Sequence, residues 1–180
     1  VSKEYLSFDR FFYPLMHGGK VCERLDKSIR LELCALAERL SEDFLHMTTA
    51  HFALLEGAED LIRYLAAKYP LTVVTNGFVE VQYEKFEKSG LKDCFAHIVL
   101  SEEVGCQKPN PRIFEEALRM NGLDASEVVM IGDSFSSDIA GANTVGIDTI
   151  WLAQPDNITD EQSKVATYIV TSLQEIKQLL

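Results

Sequence analysis

The sequence predicts an α/β fold in which a doubly wound parallel sheet follows a helical N-terminal region. From about residue 56 onward, short apolar runs alternate with amphipathic segments. Strands that alternate with helices in this way form a parallel sheet that is covered on both faces. Before residue 50, apolar residues instead recur at helical spacing.

The N-terminal region contains two predicted helices. Aromatic and leucine side chains recur at helical spacing over residues 5–15, and Pro14 ends that helix. A second apolar stripe covers residues 29–44, and Gly18-Gly19 marks the turn between the two. This pattern favours helices that pack against each other.

The alternating region divides into short elements. Strands are predicted at 71–75, 96–100, 128–131 and 148–152, with a short edge strand at 168–170. Helices are predicted at 57–69, 79–89, 111–120, 137–144 and 172–180. Gly90 follows the second of these at the usual C-terminal position, and Asn110-Pro111 open the third. Residues 153–163 are the most polar stretch and predict a surface loop.

Charge and composition exclude several classes of function. The 180 residues include 17 basic and 28 acidic side chains, which give a formal net charge of -11. Such a field repels nucleic acid but allows a small phosphorylated substrate to be held by local groups. No apolar run approaches the roughly 18 residues that cross a membrane. Four cysteines without a CxxC pair are typical of reduced thiols, so we expect a cytoplasmic protein.

Polar residues follow three of the predicted strands. Thr75-Asn76-Gly77 follow the first, Ser101-Glu102-Glu103 and then Lys108-Pro109 follow the second, and Asp133 and Asp138 follow the third. Ligands of open parallel sheets lie beyond the carboxyl ends of the strands. One hydroxyl, one ammonium and two carboxylates are therefore expected to converge at one edge of the sheet.

Part of this set suits a phosphate group. The Thr75 hydroxyl can donate to a phosphoryl oxygen, and the amides of Asn76 and Gly77 open a helix whose N-terminus favours anions. Lys108 supplies a positive charge opposite the charge that develops in a transition state. Taken singly, Thr-Asn-Gly is also a common turn, and Lys-Pro carries little information.

The two carboxylates suit a metal site. Asp133 is a hard oxygen ligand of the kind that Mg²⁺ prefers. Asp138, which follows the same strand, is expected near enough to orient metal-bound water or to hold Lys108. The alternatives are that Asp133 only helps to cap a helix and that Asp138 is an exposed helical residue.

Three stretches together resemble a known family. "VVTNGF", "LSEEVGCQKPNPRIFEEAL" and "VVMIGDSFSSDIAGANTVGI" are similar to motifs II, III and IV of the haloacid dehalogenase-like (HAD) hydrolases. Within that family, the residues of these motifs are most similar to those of the pyrimidine-nucleotide 5′-nucleotidase branch. The resemblance implies that Thr75 binds the phosphoryl group, Lys108 steadies nucleophile and phosphate, Asp133 ligates Mg²⁺, and Asp138 supports the site.

The sequence departs from that family at motif I. The family's nucleophile lies in a DxDxT motif that follows the first, central strand of the sheet. This sequence contains no DxDxT motif. In the nearest stretch, "SFDRFF", no apolar strand precedes Asp9, and Phe11 stands where the second Asp belongs. We therefore expect residues 1–55 to form a partial helical cap and 56–180 a core that lacks the central strand. That strand is expected from an N-terminal segment outside this sequence or from another chain.

The resemblance implies a Mg²⁺-dependent phosphohydrolase of small phosphate monoesters, with nucleoside 5′-monophosphates as first candidates. It would act through an aspartyl-phosphate whose nucleophile lies outside this chain, so the 180 residues alone are expected to be inactive. Three alternatives remain: a non-catalytic HAD-like remnant that serves as a binding module, a metal-free haloacid dehalogenase, and a phospho-acceptor receiver domain. Receivers place their acidic pair first and Lys-Pro last, whereas here Asp133 follows Lys108.

Overall fold

The chain separates into two compact units, Val1–Phe52 and Ala53–Leu180. The computed structural model describes residues 26–50, 52–154 and 158–180. The helix predicted at 5–15, the turn at Gly18-Gly19 and the position of Asp9 lie outside these ranges. The proposal that the first unit is a cap therefore stays a prediction.

The first unit contributes one long helix, α1 (Lys27–Ala50), to the described residues. It includes the predicted stripe at residues 29–44. Three members of that stripe, Ile29, Leu36 and Leu40, are between 42% and 47% exposed. No helix in the described ranges is both long enough and apolar enough to span a membrane.

The second unit alternates helices and strands as predicted. Its strands are β1 (Thr72–Thr75), β2 (His97–Leu100), β3 (Val129–Gly132), β4 (Asp148–Leu152) and β5 (Tyr168–Val170). Its α-helices are α2 (Ala58–Ala66), α3 (Val79–Ser89), α4 (Ser101–Val104), α5 (Pro111–Asn121), α6 (Ala140–Asn143) and α7 (Leu173–Leu179). Short 3₁₀ turns lie at Lys92–Cys94, Ala125–Glu127 and Gln162–Lys164.

Two predicted helices differ from those observed. The helix predicted at 57–69 ends at Ala66, because the next residues tighten into turns whose amides return to Arg63 and Leu65, and Pro70 follows. The helix predicted at 137–144 is instead a π-helix, Phe135–Ile139, that leads into α6. The wider π turn has a consequence for Asp138 that is described below.

The strands form two parallel sheets within the described residues, β1-β2 and β3-β4-β5. β1 pairs in register with β2, Thr72 opposite His97 and Thr75 opposite Leu100. β4 lies between β3 and β5 and pairs with both in parallel. Consecutive parallel strands are joined by helical connections, which is the doubly wound α/β class that the sequence predicts.

Burial differs between the strands. Thr149, Ile150 and Trp151 of β4 are buried, whereas every residue of β1 and β3 is only half-buried. β4 has a paired strand on each side, whereas β1 and β3 each pair on one side. The inner strands of a parallel sheet are normally its most buried part, so the half-burial of β1 and β3 marks a free edge on each.

Apolar side chains cover both faces of the β3-β4-β5 sheet. Ile150 packs with α2 and α7 in one cluster, while the neighbouring Trp151 packs with Ile139 in another. This alternation follows from the period of two along a strand. A third cluster joins Val99 of β2 to Phe114 of α5 and Ala142 of α6. Helix α5 therefore packs between the β1-β2 sheet and the helix that follows β3.

Candidate active site

The exit of β3 places its two acidic residues in different environments. Asp138 is buried, and its carboxylate accepts from the Ser134 amide at 3.1 Å and from the Ser137 hydroxyl at 3.3 Å. The π-helix turns the chain so that Asp138 returns to Gly132, the last residue of β3. A β-carbon added at Gly132 would lie 2.5 Å from the β-carbon of Asp138. Glycine is therefore required there by close approach.

Lys108 joins the ends of β1 and β3. Its Nζ lies 2.7 Å from Oδ1 of Asp138 and donates to the Val74 carbonyl at 2.8 Å. The two charged side chains are only 12% and 6% exposed. Breaking a buried pair of this kind leaves an uncompensated charge and costs about 3–5 kcal/mol. The structure thus brings together Lys108 and Asp138, as the sequence predicts for two of the three strand exits.

The Val74 carbonyl belongs to the free edge of β1. The Leu71 carbonyl accepts from the Ala96 amide, which lies on the β2 side. Backbone groups point alternately to the two sides along a strand, so the carbonyl of Val74, three residues later, points away from β2. Lys108 therefore reaches the side of β1 that no described strand covers.

Asn76 holds the backbone of Lys108. Its Oδ1 accepts from the Lys108 amide at 2.8 Å, and its Nδ2 donates to the Lys108 carbonyl at 3.1 Å. The Lys108-Pro109 peptide bond is cis. The sequence predicts a role for the Asn76 amide beside a phosphate group, but no local pattern indicates this contact between its side chain and the Lys108 backbone.

The turn after β1 is held by short-range contacts. The Gly77 amide donates to the Thr75 hydroxyl at 3.1 Å, and a β-carbon at Gly77 would overlap the Gln82 side chain. Thr75 still has its own hydroxyl hydrogen, which no described residue accepts. The Gly77 amide, by contrast, is already engaged within the turn.

Glu102 lies at the exit of β2, where the sequence places it, but the sequence predicts no role for its side chain. Its Oε2 accepts from the Val79 amide at 2.9 Å, so a carboxylate from the segment after β2 caps the first turn of α3. A negative charge near a helix N-terminus is favourable. The two residues are 23 positions apart, and no local pattern could have paired them.

Asp133 is exposed, and its carboxylate makes no hydrogen bond or ion pair with any described residue. Its main chain is fixed, because the buried indole of Trp151 donates to the Asp133 carbonyl at 3.1 Å. No group of three or more His, Cys, Asp or Glu side chains that could hold a metal occurs among the described residues. One accessible carboxylate nevertheless fits Mg²⁺, which is commonly bound through one or two carboxylates plus water and phosphate.

Comparison with known proteins identifies the family to which this chain is similar. Residues 18–152 match the family described as haloacid dehalogenase-like hydrolase. Pyrimidine 5′-nucleotidase YjjG of Escherichia coli is 38% identical over 148 residues, which are 79% of this chain and 63% of that protein. A glyceraldehyde 3-phosphate phosphatase of Pyrococcus abyssi is 40% identical over 51% of this chain and 39% of its own. This chain thus spans less than two thirds of the length of either relative.

A solved structure agrees in fold. The putative HAD-hydrolase YfnB from Bacillus subtilis, determined bound to magnesium, superposes with a TM-score of 0.71 at 26% identity. The superposition covers 98% of this chain and 80% of that one. The family match extends over most of the chain and includes all three strand exits. The chain belongs to the haloacid dehalogenase-like hydrolases.

Proposed function

We propose that the protein is a Mg²⁺-dependent phosphohydrolase of small phosphate monoesters, with nucleoside 5′-monophosphates as the first candidates. The observation that carries the proposal is Lys108, whose ammonium is fixed between Asp138 and the end of β1. A preorganised positive charge at the exits of two parallel strands suits an anion held there. The similarity to a pyrimidine 5′-nucleotidase supports the choice of substrate.

Each residue of the site has a distinct role in this proposal. Lys108 faces the phosphoryl oxygens and the nucleophile, and Asp138 keeps its ammonium in place. Thr75 donates its free hydroxyl hydrogen to a phosphoryl oxygen, while the backbone of Asn76 and Gly77 shapes the turn that surrounds it. Asp133 would ligate Mg²⁺, which when bound balances phosphoryl charge as a Lewis acid.

The free edges of β1 and β3 support the expectation of a further strand. Both strands are half-buried, they belong to separate sheets, and the Val74 carbonyl points away from β2. A parallel strand between them would satisfy both edges and would bring its own carboxyl end beside Lys108. We propose that this strand carries the attacking aspartate, that it comes from a preceding segment or another chain, and that residues 1–55 are part of a cap.

The test is a screen of phosphate release with the protein expressed from its complete coding sequence, with and without Mg²⁺. The substrates are nucleoside monophosphates, sugar phosphates and an aryl phosphate. We expect Lys108→Met to lower the rate at least about 100-fold. The matched control is Lys177→Met, because Lys177 is also ion-paired and mostly buried but lies on α7; it should leave the rate unchanged.

A screen that stays flat for every ester contradicts the phosphohydrolase. Release of halide from a 2-haloacid without metal would favour the dehalogenase, and phosphate binding without turnover would favour the binding module. Turnover by the 180 residues alone would contradict the need for an additional strand. The metal assignment has its own measurement: calorimetry should show weaker Mg²⁺ binding for Asp133→Asn, and equal affinity would overturn the assignment.

A further inference from the structure

We infer that the side chain of Asn76 is a positioning residue that sets the place and direction of Lys108, rather than a ligand of the substrate. The inference deepens the proposed function and rests on it. A single carboxamide contacts both the amide and the carbonyl of Lys108, at 2.8 and 3.1 Å. These two contacts reproduce the pairing of one residue with a neighbouring strand, so they fix both position and orientation.

The two hydrogen bonds from Asn76 hold the backbone of Lys108, and other contacts hold the ammonium at the far end of its side chain. Nζ is held by the Asp138 carboxylate and the Val74 carbonyl, at 2.7 and 2.8 Å. A lysine has a long flexible side chain that loses much rotamer freedom when it is ordered. With its backbone anchored at one end and its ammonium at the other, Lys108 is ordered before any substrate arrives, which is the condition for preorganised catalysis.

The carboxamide is the chemical group that this contact requires. Alanine at position 76 would remove both hydrogen bonds. Aspartate would keep the acceptor for the Lys108 amide but would place a second oxygen against the Lys108 carbonyl, where the structure has a donor. Asn76→Ala therefore tests the loss of both hydrogen bonds, whereas Asn76→Asp tests the replacement of one hydrogen bond by repulsion between two oxygen atoms.

The chain provides a matched control in Asn121. Its carboxamide also makes a reciprocal contact, with the Thr72 hydroxyl at 2.8 and 3.1 Å. Like Asn76 it is half-buried and links β1 to a segment far away in sequence. Thr72, however, is the first residue of β1, and Thr75, next to Asn76, is the last. Asn121→Ala therefore removes a similar contact at the end of the strand remote from Lys108, together with the bond from Asn121 to the Ala117 carbonyl within α5.

The first experiment measures how fast each lysine reacts with trace acetic anhydride, read by peptide mass spectrometry. It uses the protein expressed from its complete coding sequence, at a temperature well below its melting point. Lys177, which is ion-paired to Asp60 and 18% exposed, is the internal reference in the same sample. We expect the labelling of Lys108 relative to Lys177 to rise roughly fivefold in Asn76→Ala, the factor that one net hydrogen bond is worth. Asn76→Asp should show at least as large a rise, and Asn121→Ala none.

The second experiment measures kcat and KM on the best substrate of the screen. A misplaced Lys108 loses stabilisation that is realised in the transition state, so Asn76→Ala should lower kcat about tenfold with little change in KM. A side chain that bound the substrate directly would mainly raise KM. Asn121→Ala should change neither.

Three labelling results would overturn the inference: equal labelling of Lys108 in all variants, a parallel rise at Lys108 and Lys177 that reflects general loosening, or an equal effect of Asn121→Ala. A rise in KM at constant kcat would also overturn it, because Asn76 would then be a substrate ligand. The labelling result does not depend on turnover. A protein that hydrolyses no ester but shows the expected labelling pattern would refute the proposed function and leave the positioning role in place.

Discussion

Asp138 and Asp133 leave the same strand five positions apart and have different fates. The region around Asp138 is buried and saturated with contacts: a lysine ammonium, a backbone amide and a hydroxyl all face its carboxylate. The region around Asp133 is exposed, and only its main chain is tied down, by the Trp151 indole. The first carboxylate is bonded to other groups of the protein, whereas the second makes no hydrogen bond or ion pair with a described residue.

The difference teaches that position in a motif does not determine the role of an acid. A buried, fully bonded carboxylate contributes to folding and to the place of Lys108, so its removal should be felt in stability. An exposed carboxylate without a partner among the described residues costs nothing to remove from the folded state. Four substitutions, measured by the change in free energy of unfolding, test this contrast.

Asp138→Asn should have the largest effect. It removes the negative charge beside a lysine whose side chain is only 12% exposed, and the structure offers Lys108 no second carboxylate among the contacts described for it. We expect the free energy of unfolding to fall by about 3 kcal/mol or more. Denaturant titration of the protein from its complete coding sequence measures this, and a loss below about 1 kcal/mol, typical of an exposed pair, would break the contrast.

Gly132→Ala should come next. The added methyl group would lie 2.5 Å from Cβ and 2.7 Å from Oδ2 of Asp138, which the Lys108 pair holds in place. Overpacking of this kind costs about 1–3 kcal/mol. The control is Ser136→Ala, an exposed position in the same segment. Equal stability of the two variants would show that Asp138 is free to move aside.

Glu102→Gln should have a smaller effect. Glutamine retains an oxygen that can accept from the Val79 amide, so the change tests the charge near the N-terminus of α3 by itself. We expect a loss of about 0.3–1 kcal/mol that shrinks with added salt. Glu103→Gln is the neighbouring control, since Glu103 is also exposed and its carboxylate makes no hydrogen bond or ion pair with a described residue. A salt-independent loss would argue against a charge effect.

Asp133→Asn should have the smallest effect on stability, within about 0.5 kcal/mol, because the exposed side chain makes no contact that is lost. The bond from Trp151 goes to the carbonyl and survives the substitution. The same variant is expected to bind Mg²⁺ weakly and to lose activity. A clear loss of stability in the absence of metal would show that both acids of the motif are structural.

The order and type of the core elements were predictable because periodicity reports burial directly. The helix Val79–Ser89 and the strands Asp148–Leu152 and Tyr168–Val170 have the predicted bounds, and Asn110 accepts from the Arg112 amide as a cap should. The π-helix was not predictable, because a five-residue segment is too short for its hydrophobic pattern to distinguish a π-helix from the first turn of an α-helix. The ion pair between Lys108 and Asp138, which this turn makes possible, stabilises it.

Contacts across long separations account for the parts of the site that sequence reasoning missed. The sequence predicts the pairing of Lys108 with Asp138 as one of two roles for this carboxylate, since a buried lysine needs a counter-charge. Asn76 holding the backbone of Lys108, and Glu102 capping α3, depend on how two loops approach each other. Such an approach is set by sheet register and helix packing, which leave no mark on the local sequence.

The separation of the strands into two sheets bears on how the second unit assembles. β1 pairs with the next strand in sequence, and β3, β4 and β5 pair in chain order. Every pairing in the two sheets therefore joins strands that are consecutive along the chain, which limits the sequence separation of the contacts within each sheet. Contacts between more distant parts of the chain join the two sheets, among them Phe114 of α5 against Gly141 of α6 and Lys108 against Asp138. Lys108 thus also links the two sheets, so its ammonium can lie between the Val74 carbonyl and the Asp138 carboxylate only when both halves of the unit are assembled.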